Sequence, residues 1–114
     1  MTYKKIVEGY VKSKVGFYVE KLCKQFNIPA YFIERETVTF DTTYRKDCFL
    51  FECEVKIFAD SHDYFRDNYK TIFVGGSVDD YSCLVSCIRT EDSKYIWYDV
   101  EETREKMGIT EFKI

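Results

Sequence analysis

The chain has 114 residues, 46% hydrophobic and 32% charged, enough to bury roughly two thirds of its unfolded surface, so folding requires neither a disulfide nor a metal. No run approaches the ~18 apolar residues of a membrane span, and no apolar stretch follows Lys4 and Lys5 as it would in a secretory leader. A net charge of −3 argues against a strongly basic nucleic-acid binder, and five cysteines, an odd number, suit a reducing compartment better than a disulfide framework.

The first element is a helix opened by Thr2. Val7, Val11, Val15, Val19, Leu22 and Phe26 recur at a spacing near 3.6 and form one apolar stripe, while most of the lysines fall beside it. Gly9 and Gly16 weaken this helix by about 1 kcal/mol each relative to alanine. Asn27 followed by Ile28-Pro29 ends it, because a residue before proline avoids the helical region.

After Pro29 the period changes to two. A strand is predicted over Tyr31–Phe40, a loop over 41–47 and a second strand over Cys48–Ala59. In that strand Phe49, Phe51, Cys53, Val55, Ile57 and Ala59 alternate with Leu50, Glu52, Glu54, Lys56 and Phe58. One apolar face and one mostly wet face describe an antiparallel sheet covered on one side, with the first helix as the cover. Ser61 and its flanking acids open a short helix to about Tyr69. A strand over Thr71–Val74 leads into a Gly75-Gly76 turn. Tyr81–Arg89 and Lys94–Val100 read as a hairpin across 90–93. A second short helix over Glu101–Met107 stops at Gly108, and Ile109–Ile114 adds a last edge strand. With one proline, no repeat and no linker, the chain is one domain, 1–114. The fold class is α+β: a long N-terminal helix on a mainly antiparallel sheet of about five strands, with two short helices. The expected core contains Val11, Val15, Val19, Leu22, Phe26, Phe51, Val55, Ile57, Val85 and Trp97.

No arrangement of residues carries a catalytic signature. Cys83 and Cys87 are four apart on a strand and so share a face, Cys48 and Cys53 do not, and neither pair sits on the turn that a zinc site uses. No metal or other cofactor is expected, and the cysteines read as small buried hydrophobes. The single histidine, His62, is a weak catalytic candidate: with Glu52 or Glu54 and Arg66 it would make a small hydrolase or nuclease. Val74-Gly-Gly-Ser77 lacks the lysine of a phosphate loop, and Asp79-Asp80 would repel phosphate.

Charge is split along the chain. Residues 1–26 hold six lysines against two glutamates, four positive charges net, so the remainder carries seven negative ones. Asp99, Glu101, Glu102 and Glu105, with Tyr95 and Tyr98 among or before them, form an acidic, tyrosine-bearing surface for a basic protein partner, such as a nucleic-acid-binding protein. The leading expectation is therefore a small non-catalytic binding protein of the cytosol, of a cell or an infected host. It would act by occupying a macromolecular partner, as viral or mobile-element inhibitors and immunity-type proteins do. A nucleic-acid-binding module using Lys5, Lys12 and Tyr10 of the first helix is the alternative. The terminal strand offers a route to a homodimer.

Overall fold

The computed structural model describes the backbone of residues 3–40, 49–60, 69–78, 83–98 and 111–112, and the side chains of 7–39, 49–60, 69–78, 83–96 and 111–112. Among these residues one helix, α1 (Tyr3–Phe26), precedes five strands: β1 (Ala30–Phe40), β2 (Phe49–Phe58), β3 (Lys70–Val78), β4 (Cys83–Thr90) and β5 (Tyr95–Tyr98). The strands form a single sheet in the order β1-β2-β3-β4-β5, each antiparallel to the next. The helix lies across one face of it, the α+β arrangement expected. No helix among the described residues is long and apolar enough to cross a membrane.

The valine stripe does what its period dictates. Val7, Val11, Val15, Val19 and Leu22 are buried against Phe51, Cys53, Val55, Ile57, Ile72, Val74, Val85, Ile88 and Ile96. Helix α1 ends in a Schellman motif. Asn27 takes a left-handed φ of 56°, the Ile28 N–H donates to the Cys23 carbonyl at 2.8 Å, and the Ile28 side chain is buried. At the same end of the core Phe26 meets the ring of Phe112 edge-on at 5.9 Å.

Three bulges reset the side-chain alternation. The extra residues are Glu34 on β1, Ser86 on β4 and Ile96 on β5. The bulge at Ser86 overturns the expectation that Cys83 and Cys87 share a face: Cys83 pairs with Val78 and is buried in the core, whereas Cys87 pairs with Gly75 on the opposite side. Ile96 is the β5 residue in the described core; the Trp97 side chain lies outside the described set.

The Gly75-Gly76 turn does not exist. Strand β3 runs straight through both glycines, which pair with β2 on one side and β4 on the other. The glycine at 76 answers a need for space. A Cβ there would lie 2.0 Å from the Leu84 carbonyl oxygen and 2.7 Å from Cζ of Phe51, so the Phe51 ring fills the room that a side chain would need. The extra Ser86 hydroxyl donates to the Gly75 carbonyl at 3.2 Å.

The turn expected across 90–93 is present. The Thr90 N–H donates to the Lys94 carbonyl at 2.9 Å, the Ser93 N–H donates to the Thr90 carbonyl at 3.1 Å, and Ser93 is left-handed with φ 66°. The Thr90 hydroxyl also donates to the Asp92 carboxylate, and that bond holds Asp92 below the usual carboxylate range.

The two short helices expected over 61–69 and 101–107 fall outside the described residues, apart from Tyr69, which lies in no regular element. Of the terminal strand expected over 109–114, the described Glu111 and Phe112 belong to no strand. The sheet edges among the described residues are β1 and β5, and each carries a bulge, a device that hinders edge-to-edge pairing.

Candidate functional site

Among the described residues the helix covers one face of the sheet and leaves the other open except at one end, where Phe58 and Thr71 are buried. Strand register lays the open face out in rows. Arg35, Glu54, Phe73, Arg89 and Tyr95 stand side by side across all five strands; the next row is Thr37, Glu52, Gly75, Cys87 and the Tyr98 position; the one beyond runs Thr39, Leu50, Ser77 and Leu84. With no side chain at Gly75, the middle of the face is low. One depression of about 270 Å³ is lined by Arg35, Thr37, Glu52, Glu54 and Phe73. A second, of about 380 Å³, shares Thr37 and Glu52 with it and continues past Thr39 and Leu50 to Gly76.

One polar anchor organises this face. Arg89 donates from Nη2 to Glu52 Oε2 at 2.8 Å, and its guanidinium carbon sits 4.6 Å from the Phe73 ring centre. The side chains of Glu52 and Arg89 are 50% and 28% exposed, so the pair is held in place yet reachable. At one end Lys56 pairs with Glu34 at 3.5 Å and lies 4.2 Å from the Tyr69 ring centre. Tyr69 in turn meets Phe58 edge-on at 6.3 Å. Phe58 was assigned to the wet side of β2, but it is only 2% exposed. Phe32, Leu50 and Tyr95 remain exposed on the open face.

A second surface runs along the outside of α1. Residues 10, 14, 17, 21 and 24 are four and three apart in turn and so share one flank. Tyr10 and Phe17 are about half exposed. The Lys21 ammonium sits 4.4 Å from the Phe17 ring centre and 5.5 Å from that of Tyr18. Lys14 approaches Tyr18 at 5.6 Å, and the two rings meet at right angles, 5.4 Å apart.

Among the described residues the thiols are poorly placed for nucleophilic chemistry. Burial, with the Glu36 charge next, pushes the Cys53 thiol up to about 12. Burial and then Glu20 push Cys23 up to about 11, and burial also raises Cys87. A thiol in such surroundings is protonated, and inert, near neutral pH. Among the described residues no group of three or more His, Cys, Asp or Glu could hold a metal ion.

The sequence candidates are only partly brought together. His62, Asp99, Glu101, Glu102 and Glu105 lie outside the described residues, as do the side chains of Lys5 and Tyr98. Tyr95 is exposed at the rim of the open face. Lys12 and Tyr10 belong to different flanks of α1: Lys12 reaches Glu36 on β1 at 3.7 Å, whereas Tyr10 stands on the flank of Phe17. The group that sequence reasoning passed over is Arg89 with Phe73, a pair joined only by strand register, which local patterns do not carry. The contact of Lys21 with Phe17 follows from the four-residue spacing of the helix.

Comparison with protein-family models, curated proteins and solved structures found no match to this chain.

Proposed function

We propose that this protein is a small binding module that acts by occupying a macromolecular partner, most simply another protein, in the manner of an inhibitor or immunity protein of the cytosol. The observation that supports this reading is the open sheet face, where Phe32, Leu50 and Tyr95 are exposed beside the Arg89–Glu52 pair. Aromatic residues and arginine are the types that protein interfaces enrich, with hot spots seated in depressions. Five strands about 4.8 Å apart and about eight residues long offer a face of roughly 600 Å², close to the roughly 800 Å² that each partner contributes to a standard interface.

The acidic run Asp99, Glu101, Glu102 and Glu105 follows β5 directly in sequence. It would extend the contact from the Tyr95 rim and favour a basic partner, such as a nucleic-acid-binding protein.

Affinity capture with the tagged chain in its source cells, followed by titration of the purified partner, tests the reading. The triple variant Phe32→Ser/Leu50→Ser/Tyr95→Ser and the charge reversal Glu101→Lys/Glu102→Lys/Glu105→Lys should each weaken binding by about tenfold or more, with the melting temperature unchanged. Wild-type affinity in the first variant removes the sheet face as the contact, and wild-type affinity in the second removes the acidic extension.

A further inference from the structure

The outer flank of α1 is chemically different from the sheet face and stands apart from the reading above. From Tyr10 to Lys24 it is made only of rings and ammonium groups at successive four- and three-residue steps: Tyr10, Lys14, Phe17, Lys21 and Lys24. The helix's acids do not interrupt it. Glu20 faces β1, where it accepts a hydrogen bond from the Tyr31 hydroxyl at 3.3 Å, and Glu8 is off this spacing. Lys12, the remaining lysine of the described helix surface, is likewise turned to β1 by its ion pair with Glu36. The helix residues of this flank thus carry only positive charge, on a chain whose net charge is −3.

Two of its properties select a ligand. Tyr10 and Phe17 keep about half of their surface exposed, although Lys21 lies over the Phe17 ring. They stand seven residues apart, roughly 10 Å along the axis, with Lys14 between them and Lys21 beyond. A ring–ammonium–ring–ammonium order at that pitch matches an extended single strand, whose bases stack on aromatic faces while lysines meet the phosphates. A duplex is not matched, because it hides its bases and would ask for lysines on both flanks.

We propose that this flank of α1 binds single-stranded nucleic acid without sequence preference, through Phe17 and Tyr10 as stacking platforms and Lys14, Lys21 and Lys24 as phosphate contacts. With three lysines engaged, log affinity falls against log salt with a slope of about −2, so raising salt from 50 to 200 mM weakens binding roughly 20-fold.

The test is fluorescence anisotropy with a labelled 20-mer of deoxythymidine and its uridine equivalent, at 50, 100 and 200 mM salt, on the full chain. The expected result is that slope, a loss of about 5- to 100-fold in Phe17→Ala, and abolished binding in Lys21→Glu/Lys24→Glu. Lys12→Gln, on the other flank, should bind as wild type. Thermal melts of all four proteins should coincide, since these side chains lie outside the core. No binding at 50 mM salt overturns the proposal. So does equal affinity in Phe17→Ala. Equal binding of polyglutamate or of anionic phospholipid vesicles, unaffected by Phe17→Ala, also overturns it, and assigns the flank to anions in general.

Discussion

Replacing Gly76 with alanine drives a methyl group into two neighbours at once. Its carbon would stand 2.0 Å from the Leu84 carbonyl oxygen, 3.0 Å from the Leu84 carbonyl carbon and 2.7 Å from the end of the Phe51 ring. A ring tip alone could swing aside, but Phe51 is packed in the core at 4% exposure, and the carbonyl belongs to the strand on which β3 lies. Relief therefore requires β4 to shift and the ring to leave its place. Overpacking of a core costs about 1–3 kcal/mol, and one ladder hydrogen bond lost in the shift adds about 1 kcal/mol. The worked cost is about 2–4 kcal/mol, a large share of a stability of ~5–15 kcal/mol. At about 4 °C per kcal/mol for a domain of this size, Gly76→Ala should melt roughly 8–16 °C below wild type, and its urea midpoint should fall by roughly 1–2 M. The neighbouring glycine is the control. A Cβ on Gly75 would meet Cys87 Sγ at 3.5 Å and the Phe51 carbonyl oxygen at 3.7 Å, both ordinary contacts. Gly75→Ala should match wild type or gain up to about 1 kcal/mol from the stiffer unfolded chain. A Gly76→Ala melt within about 4 °C of wild type, or equal losses in both variants, would refute the reasoning.

Two further outcomes follow from the described geometry. Ser93 adopts φ 66° in the β4–β5 turn, where glycine avoids a cost of about 1 kcal/mol; Ser93→Gly should raise the melting temperature by about 4 °C, and a lowered one would mean that the Ser93 side chain contributes to the turn. Burial holds the Cys23 thiol at about 11 and Cys53 at about 12, up from 9.0, so the folded state keeps protons that the unfolded state releases. Their stability contribution is complete below pH 9 and is lost as pH rises through 11 to 12. At pH 8, mass-spectrometric mapping of thiol labelling should show both unmodified until denaturant unfolds the chain; modification of Cys53 in the native protein within seconds would contradict that burial.

How much of this could be read from the chain depends on whether the responsible partner is near in sequence. The valines of α1 and the alternation of β2 are periodic within a few residues, so both elements and most of the core were legible. The 90–93 turn was equally local. Gly75-Gly76 misled because adjacent glycines signal freedom of φ, whereas Gly76 is required by a ring 25 positions earlier in the chain. Bulges defeated the parity argument at Cys83 and Cys87, since one inserted residue reverses every face assignment after it. Phe58 shows the same limit: its place in the alternation assigns it to the wet side, yet Tyr69, across the chain segment from β2 to β3, lies against it. For the candidate sites, Tyr10 and Tyr95 were legible as surface residues beside lysines and acids, but the stacking of Arg89 on Phe73 depends on β3 and β4 being in register.

The order of elements has a consequence for synthesis. Helix α1 precedes every strand it covers, and its last sheet partners, on β4, follow its end by about 60 residues. At roughly 5–20 residues per second, a ribosome needs several seconds to supply them. A preformed ridge of valines would spend that interval available to any sticky neighbour. Gly9 and Gly16 lower that hazard, because a free helix of this length with two glycines is marginal in water. Neither glycine is demanded by crowding: a Cβ at Gly9 would meet nothing within 4 Å, and one at Gly16 would meet only the Tyr31 hydroxyl at 3.7 Å. The nascent helix thus matures with its sheet, and alanine at both positions would give a sturdier finished protein with a more adhesive newborn chain.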